Sequence, residues 1–275
     1  MAKRAAYLYE KIVEGGSRAF EIPGSDTIMN ELACTKISAP STDKTDITMQ
    51  IHDINTGYEP ICGFSIKSEL GSAPTLLNAS GATNFVYEVS GISDELAEQI
   101  NAIDSKTKIL DRIQMITENG TMKYSHMKNK VFSGNLMLID TYMEEIIAHL
   151  LLLYYQNQAT DSDKLIRIIE EQNPLGYPRK GIYAYKFKKF LCSIALGMMP
   201  SKEWDGHDEA NGGYVIVKDN GEVLAYHIYN RDAFEKYLLN NTKFERGSTG
   251  KHGFATLYME NGKRYINLNL QIRFI

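Results

Sequence analysis

Apolar and polar residues alternate along two segments in the first third of the chain. Residues 46–53 (DITMQIHD) and 61–67 (ICGFSIK) have the period of two that is typical of half-buried strands. Residues 55–57 (NTG) lie between them and have the composition of a turn. We therefore expect an antiparallel hairpin in this region, followed by a third strand over residues 83–89.

Longer segments in the middle of the chain have the spacing of amphipathic or buried helices. Helices are predicted from Ser93 onward and over residues 106–118, 135–156, 163–172 and 183–198. The last third returns to alternating segments, in which residues 219–221 (DNG) and 261–262 (NG) each predict a hairpin turn. Strands early and late with helices between them indicate the α+β class. We expect a single domain of residues 1–275, with a hairpin region (44–90), a helical middle (93–199) and a β-rich C-terminal part (212–275).

Composition and cysteine usage indicate where the protein functions. The most apolar stretch, residues 146–155, is too short to span a bilayer, and a buried helix explains it better. The N-terminus lacks the apolar run of a signal peptide. Cys34, Cys62 and Cys192 lie far apart in the sequence and form no metal-type pair. These features predict a protein of the reducing cytoplasm with no membrane segment.

The net charge of −4 argues mildly against a nucleic-acid partner, although a local basic surface is sufficient to bind one. Two local patches are present. In residues 179–189 Arg and Lys are interleaved with Tyr and Phe, and residues 243–251 carry further basic residues. Charge alone favours a solvated surface over a nucleic-acid site for either patch.

The predicted hairpin brings polar residues of its two strands together at the open end. If the apolar residues of both strands face the core, then Asp46, Ser65 and Lys67 share the opposite face. A register that places Asp53 opposite Pro60 places Asp46 opposite Lys67, and directly opposed Cβ atoms lie about 5 Å apart. Asp53 itself falls on the apolar face beside the turn, so Asp46 is the candidate carboxylate.

A strand aspartate beside a lysine on the neighbouring strand is the arrangement of the PD-(D/E)-x-K nuclease core. The carboxylate would hold Mg²⁺, a hard cation that prefers oxygen ligands. The metal would polarise a phosphate and lower the pKa of its bound water, while the lysine would position that water and offset developing negative charge. Ser65 stands where the usual second acid precedes the lysine. The carbonyl of Ile66 or the carboxylate of Glu69 is therefore expected to complete the metal ligands.

The spacing of Asp46, Ser65 and Lys67 alone describes an ordinary surface pair on a sheet better than an active site, but the surrounding sequence adds information. The run GFSIKSELGSAPTLLNASGATNFVYEV, residues 63–89, closely resembles the central signature of the HpaII family of restriction endonucleases. Blocks before and after it resemble the family in the same order: AFEIPGSD, STDKTDITMQIHD, NLMLIDTYMEEIIAHLLLLYY, NPLGY, GGYVIVKDNGEVLAYHIYNRDAFEKYLLNNTKFE and LNLQIRF. The resemblance covers essentially the whole chain.

This resemblance implies a restriction-endonuclease-like fold, in which helices flank a mixed β-sheet core and β-hairpins form the C-terminal part. It implies a type II restriction endonuclease that hydrolyses phosphodiester bonds of double-stranded DNA in the palindrome CCGG with Mg²⁺ as cofactor. A companion cytosine DNA methyltransferase would protect the DNA of the bacterial or archaeal host. Cleavage of both strands of a palindrome also suggests a homodimer or sequential nicking.

Two further groups of residues are candidate DNA contacts. Asn78, Thr83 and Asn84 follow the lysine within the family signature, and they either contact DNA or organise the site. The second group would contact phosphates or bases from a loop and comprises Ser248, Thr249, Lys251 and His252. Lys251 stands where the family pattern has arginine, and lysine reproduces the bidentate contact of arginine to guanine poorly. Relaxed specificity is expected if this position reads a base.

One departure from the family pattern supports an alternative. Family members are expected to begin with a helix that contains a Gly-Glu-Trp segment, whose glutamate joins the metal site, and this chain has no such segment. The alternative is an N-terminally truncated, catalytically inactive remnant that still binds DNA. Retained binding to CCGG without cleavage would distinguish the remnant from an active nuclease.

Overall fold

The computed structural model describes most of the chain. The described residues are 2–15, 21–31, 45–50, 52, 57, 59–68, 73–218, 220, 222–227, 230–247 and 254–275. The helices are α1 Ala2–Gly15, α2 Ser25–Glu31, α3 Asp94–Ala102, α4 Lys108–Asn119, α5 Lys130–Ile139, α6 Met143–Tyr155, α7 Ser162–Gln172, α8 Ile182–Leu196 and α9 Arg231–Asn240. The strands are β1 Ile47–Gln50, β2 Ile61–Ser68, β3 Thr75–Leu77, β4 Asn84–Ser90, β5 Thr121–Met127, β6 Gly213–Val217, β7 Val223–His227, β8 Thr242–Phe244, β9 Leu257–Glu260, β10 Lys263–Asn269 and β11 Ile272–Phe274.

The described strands form three sheets, with the orders β1-β2-β6-β7, β5-β4-β10-β9 and β3-β11-β8. The first sheet joins the predicted N-terminal hairpin to the C-terminal hairpin of β6 and β7. Its central pair, β2 and β6, is parallel, whereas the other strand pairs within the three sheets are antiparallel. This mixed arrangement confirms the predicted α+β class, with strands early and late in the chain and helices between them.

The core is built around α6 and α8. Apolar residues of α6 point in all directions and are buried, which is typical of a helix enclosed by other elements. The Tyr87 hydroxyl donates a hydrogen bond to the Ala148 carbonyl at 2.7 Å, and the Tyr155 hydroxyl donates to the Asn269 carbonyl at 3.0 Å. The predicted buried helix over residues 146–155 is thus confirmed. No helix in the described part of the chain is both long and apolar enough to cross a membrane.

One predicted helix differs from the structure, and some short or edge strands were not predicted. The single helix predicted over residues 135–156 is wrong, because α5 ends at Ile139 and α6 begins at Met143. Between them the Asp140 carboxylate accepts a hydrogen bond from the Tyr142 backbone N–H at 2.9 Å, a local contact that competes with helix propagation. Strand β5, at the edge of its sheet, was not predicted, because it is half-exposed and its residues are mostly polar.

Candidate active site

Asp46 lies beside Ser65 in the hairpin of β1 and β2. The register pairs Ile47 with Phe64, and the Asp46 N–H donates to the Phe64 carbonyl at 2.8 Å. The predicted pairing of Asp46 with Lys67 is therefore wrong by two residues. Because the shift is even, Asp46, Ser65 and Lys67 still lie on one face of the sheet, as the alternation predicts.

The polar face of β2 points into the molecule, contrary to the prediction. Ser65 is only 2% exposed, whereas Ile47 on the predicted inward face is 44% exposed. The parallel neighbour explains the orientation: Tyr214 and Ile216 of β6 are fully buried, and they are the register partners of Ser65 and Lys67. Register partners share a face, so the buried face of β6 determines the inward face of β2.

Just before β1 begins, the Asp46 side chain accepts the hydrogen bond from β2 that a strand backbone would otherwise accept. The chain bends at Asp46, and Oδ2 of its carboxylate accepts the Ile66 backbone N–H at 2.6 Å. The Ser65 hydroxyl donates to the same oxygen at 3.3 Å. The N–H and carbonyl of one strand residue point to the same edge of a sheet. The Ile66 carbonyl therefore points to the edge at which the Asp46 carboxylate lies.

Lys67 lies next to this carboxylate along β2. It is half-buried and lines a cavity of about 210 Å³ together with Ser65, Asn78 and Tyr214. The end of α8 and the residues after it close the cavity on the other side, through Met198, Met199, Pro200 and Ser201. Within the described part of the chain, the Lys67 ammonium forms no ion pair. A lysine in this position faces a space of suitable size for a phosphate group.

Tyr214 also lines this cavity, although the sequence did not predict it as a site residue. Its hydroxyl is buried and has no hydrogen-bond partner among the described residues. Burial, together with the nearby Asp46 carboxylate, raises the pKa of Tyr214 well above its usual value, so the phenol is neutral. The strand pattern of residues 213–217 predicts a buried tyrosine. It contains no signal that β6 would pair with β2.

The residues predicted to follow the lysine have two different placements. Asn78 is exposed at the cavity, whereas Thr83 and Asn84 are buried. The side-chain amide of Asn269 donates to Thr83 Oγ1 at 3.1 Å and to Asn84 Oδ1 at 2.7 Å. It also donates to the Ser80 carbonyl at 2.7 Å. This geometry favours the organising role for Thr83 and Asn84, with the otherwise unpredicted Asn269 at its centre.

The remaining candidates lie outside the described residues. They are Glu69, Ser248, Thr249, Lys251 and His252. Their contributions therefore remain predictions.

The basic segment of residues 179–189 is partly neutralised by acidic neighbours. The Lys186 ammonium pairs with the Asp140 carboxylate at 2.8 Å, and Lys189 pairs with the buried Glu235 at 2.7 Å. Arg231 contacts the same Glu235 carboxylate at 3.3 Å and Asp208 at 3.1 Å. These pairs reduce the positive charge that the segment presents, which agrees with the interpretation that this patch is not a nucleic-acid site.

The donors around Asp46 suit a hard cation. They are a carboxylate and a backbone carbonyl, both oxygen ligands, next to a cavity that can admit a phosphate. Mg²⁺ is commonly bound by one or two carboxylates with substrate phosphates and retained waters. Among the described residues, no group of three or more His, Cys, Asp or Glu side chains forms a closed metal cage. The donor set therefore fits a cation that shares its coordination with substrate and water.

Comparison with known proteins identifies the class of enzyme. The family model described as HpaII restriction endonuclease matches residues 1–274. The type II restriction enzyme HpaII of Haemophilus parainfluenzae is 43% identical over 264 residues, which cover 94% of this chain and 73% of that protein. No solved structure matches significantly. The matches confirm the prediction of a type II restriction endonuclease, a site-specific hydrolase that acts on double-stranded DNA. The chain therefore belongs to the HpaII restriction endonuclease family.

Proposed function

We propose that this chain cleaves double-stranded DNA within CCGG, with Mg²⁺ as its cofactor and a PD-(D/E)-x-K-type fold around the site. One observation carries the proposal. The Asp46 carboxylate accepts hydrogen bonds from Ser65 and Ile66, the two residues before Lys67 on β2. Ser65 and Lys67 both line the adjacent cavity. Ser65 stands at the position where the second acid is usual. The neighbouring oxygen donor is therefore the backbone carbonyl of Ile66.

Each residue has a definite role in this proposal. Asp46 and the Ile66 carbonyl would hold the metal, with Glu69 as a further carboxylate candidate. Bound Mg²⁺ would supply polarisation of the phosphate and a water of lowered pKa. The Lys67 ammonium would position the attacking water and offset negative charge as it develops. Ser65 orients Asp46 by donating to Oδ2, at 3.3 Å in this structure.

We propose that DNA is bound where the cavity opens, with further contacts from a second group of residues. Asn78 contacts the DNA backbone near the scissile phosphate, since the Asn78 side chain is exposed and lines the cavity. Thr83 and Asn84 act indirectly by supporting the turn that carries Asn78. The second candidate group contacts phosphates or base edges and comprises Ser248, Thr249, Lys251 and His252. The palindrome favours a homodimer, and the proposed setting is the cytoplasm of a host with a companion cytosine methyltransferase.

The alternative, a member of this family that binds DNA without cleaving it, also has one observation in its favour. Among the described residues no carboxylate lines the cavity itself, and Asp46 lies next to it through its hydrogen bond to the lining residue Ser65. A site with a single carboxylate binds Mg²⁺ weakly unless another oxygen donor joins it. Cleavage by the chain at millimolar Mg²⁺ would exclude this alternative.

The direct test compares Lys67→Ala with the parent on a short CCGG duplex under single-turnover conditions. We expect the variant to cleave at least about 100-fold more slowly, because a preorganised charge at the phosphate typically contributes that much. Its affinity for the duplex without metal should stay within about threefold. Lys123→Ala, which removes an exposed lysine from β5 in another sheet, is the control. Equal cleavage by Lys67→Ala and the parent would contradict the proposed mechanism.

A further inference from the structure

A short segment before β6 holds the base of the catalytic hairpin. Residues 209–212 contact the hairpin at three points. The Thr45 hydroxyl donates to the Glu209 carbonyl at 3.2 Å, the Gly63 N–H donates to Asn211 Oδ1 at 2.9 Å, and the Gly212 N–H donates to the Gly63 carbonyl at 2.7 Å. We call these four residues the brace.

The side chain of Asn211 accepts the Gly63 hydrogen bond that a strand backbone would otherwise accept. The parallel ladder between β2 and β6 begins where Gly213 pairs with Phe64. One residue earlier, both backbone groups of Gly63 bond to the brace, and Asn211 supplies the acceptor through its side chain. Asn211 therefore extends the ladder by one residue toward the turn of the hairpin.

The brace and the hairpin are in close backbone contact. A Cβ atom on Gly63 would lie 2.7 Å from the Glu209 carbonyl oxygen and 2.8 Å from the Thr45 methyl group. A Cβ atom on Gly212 would lie 2.6 Å from the Phe64 ring. Real Cβ atoms do not approach this closely, so the fit requires glycine on both sides.

Burial alone does not hold Asp46 in place. The side chains of Asp46, Ile47 and Thr48 are exposed, so β1 contributes little apolar burial near the carboxylate. The brace, in contrast, is anchored in the molecule. Ala210 is fully buried, its N–H donates to the Leu196 carbonyl at the end of α8 at 2.9 Å, and Asp208 just before it pairs with Arg231.

We propose that Asn211 is a positioning residue for DNA cleavage, which holds the β1–β2 register through Gly63 and so presents the Asp46 carboxylate beside Lys67. This inference rests on the proposed function. Asn211 does not contact the substrate in this account. It acts through Gly63, while the Glu209 carbonyl of the same brace holds Thr45, which directly precedes Asp46.

The test compares Asn211→Ala, which removes the acceptor, with Asn211→Asp, which keeps an oxygen that can accept the Gly63 N–H. Asn119→Ala is the matched control, because among the described residues that side chain bonds only within its own helix, at the Met115 carbonyl. Four quantities are measured for each protein: the single-turnover cleavage rate on a CCGG duplex, the affinity for that duplex without metal, the melting temperature, and the binding of Mn²⁺ to the protein alone.

We expect Asn211→Ala to cleave about 10- to 100-fold more slowly and to bind Mn²⁺ several-fold more weakly. Its affinity for DNA should stay within threefold and its melting temperature within a few degrees. Asn211→Asp should restore most of the rate, and Asn119→Ala should match the parent. If Asn211→Ala does not fold, Thr45→Val removes the second contact and should change the same two quantities in the same direction.

Two results would overturn the inference. One is an Asn211→Ala variant that cleaves and binds Mn²⁺ like the parent. The other is a loss of cleavage with parental Mn²⁺ binding or without rescue by Asn211→Asp, which would indicate a general loss of structure. A parent that does not cut CCGG would contradict the proposed function instead, and the Mn²⁺ titration would still decide whether Asn211 positions Asp46.

Discussion

Asp46 is held by directed hydrogen bonds, and these bonds are specific to one of its oxygens. Oδ2 accepts from Ile66 and Ser65, whereas Oδ1 accepts no hydrogen bond from a described residue. A carboxylate with one oxygen bonded to the protein keeps the other for a ligand, at low cost in reorganisation. At the scale of single residues, the site is therefore prepared before substrate arrives.

A substitution of Tyr214 tests whether its buried hydroxyl has a hydrogen-bond partner in the free protein. A buried hydroxyl without a partner costs about 1–3 kcal/mol of stability. Because the Tyr214 hydroxyl has no hydrogen-bond partner among the described residues, Tyr214→Phe should leave the free energy of unfolding unchanged or raise it by about 1 kcal/mol. Urea denaturation of the two proteins measures this difference. A decrease of more than about 1 kcal/mol would mean that the hydroxyl is hydrogen-bonded in solution.

Alternation along two strands was sufficient to predict that Asp46, Ser65 and Lys67 share a face. It was not sufficient to predict the register, because the turn between the strands sets it and period-two patterns do not change when the register shifts by two. The inward direction of this face was also unpredictable from the hairpin alone. It depends on Tyr214 and Ile216, which are distant in sequence.

At the scale of elements, β2 connects the candidate site to the rest of the fold. On one edge it pairs with β1, which Asp46 directly precedes, and on the other it pairs with β6 and the brace. A substitution that forces β2 and the brace apart should therefore lower stability as well as activity.

Gly63→Ala tests this contact. The new methyl group would meet the backbone of Glu209, which cannot move away without breaking the brace, so we expect destabilisation by about 1–3 kcal/mol. Gly134→Ala is the control, because Gly134 lies within α5 and a Cβ atom there meets nothing within 4 Å. Replacing a helical glycine with alanine should stabilise the protein by up to about 1 kcal/mol. Equal unfolding free energies for Gly63→Ala and the parent would contradict the close contact.

Local patterns predicted most elements but not how they are paired. Turn sequences at residues 219–221 and 261–262 marked both late hairpins, which the structure contains. The parallel pairing of β2 with β6 has no local signal, since each strand pattern is compatible with many partners. The short strands β3 and β8 and the edge strand β5 were missed for the same reason, because tertiary contacts stabilise them more than their own sequences do.

At the scale of the whole molecule, a protein with a net charge of −4 has to bind DNA, which is also negatively charged. Binding therefore depends on where the positive charges lie. Lys186 and Lys189 of α8 are engaged by Asp140 and Glu235. We expect DNA to bind away from these residues, on the face with the cavity. The sequence motifs predicted the family, and local charge counts along the sequence could not show which lysines are already paired.

The corresponding prediction compares two lysine variants in a salt titration of DNA binding. Lys189→Gln should change the affinity for a CCGG duplex by less than about twofold, and it should lower stability because the buried Glu235 loses a partner. Lys251→Gln, at a proposed phosphate or base contact, should weaken binding several-fold. The slope of log affinity against log salt should then fall by about one for a lost phosphate contact. Weaker DNA binding by Lys189→Gln, together with unchanged binding by Lys251→Gln, would contradict this distribution of charge.

The central claim, sequence-specific and metal-dependent cleavage, is tested most directly by digesting plasmid DNA with the intact protein in Mg²⁺ and in EDTA and sequencing the ends. We predict discrete ends within CCGG in Mg²⁺ and intact plasmid in EDTA. Intact plasmid under both conditions, together with a specific gel shift on a CCGG duplex, would contradict the claim and favour the inactive DNA-binding alternative.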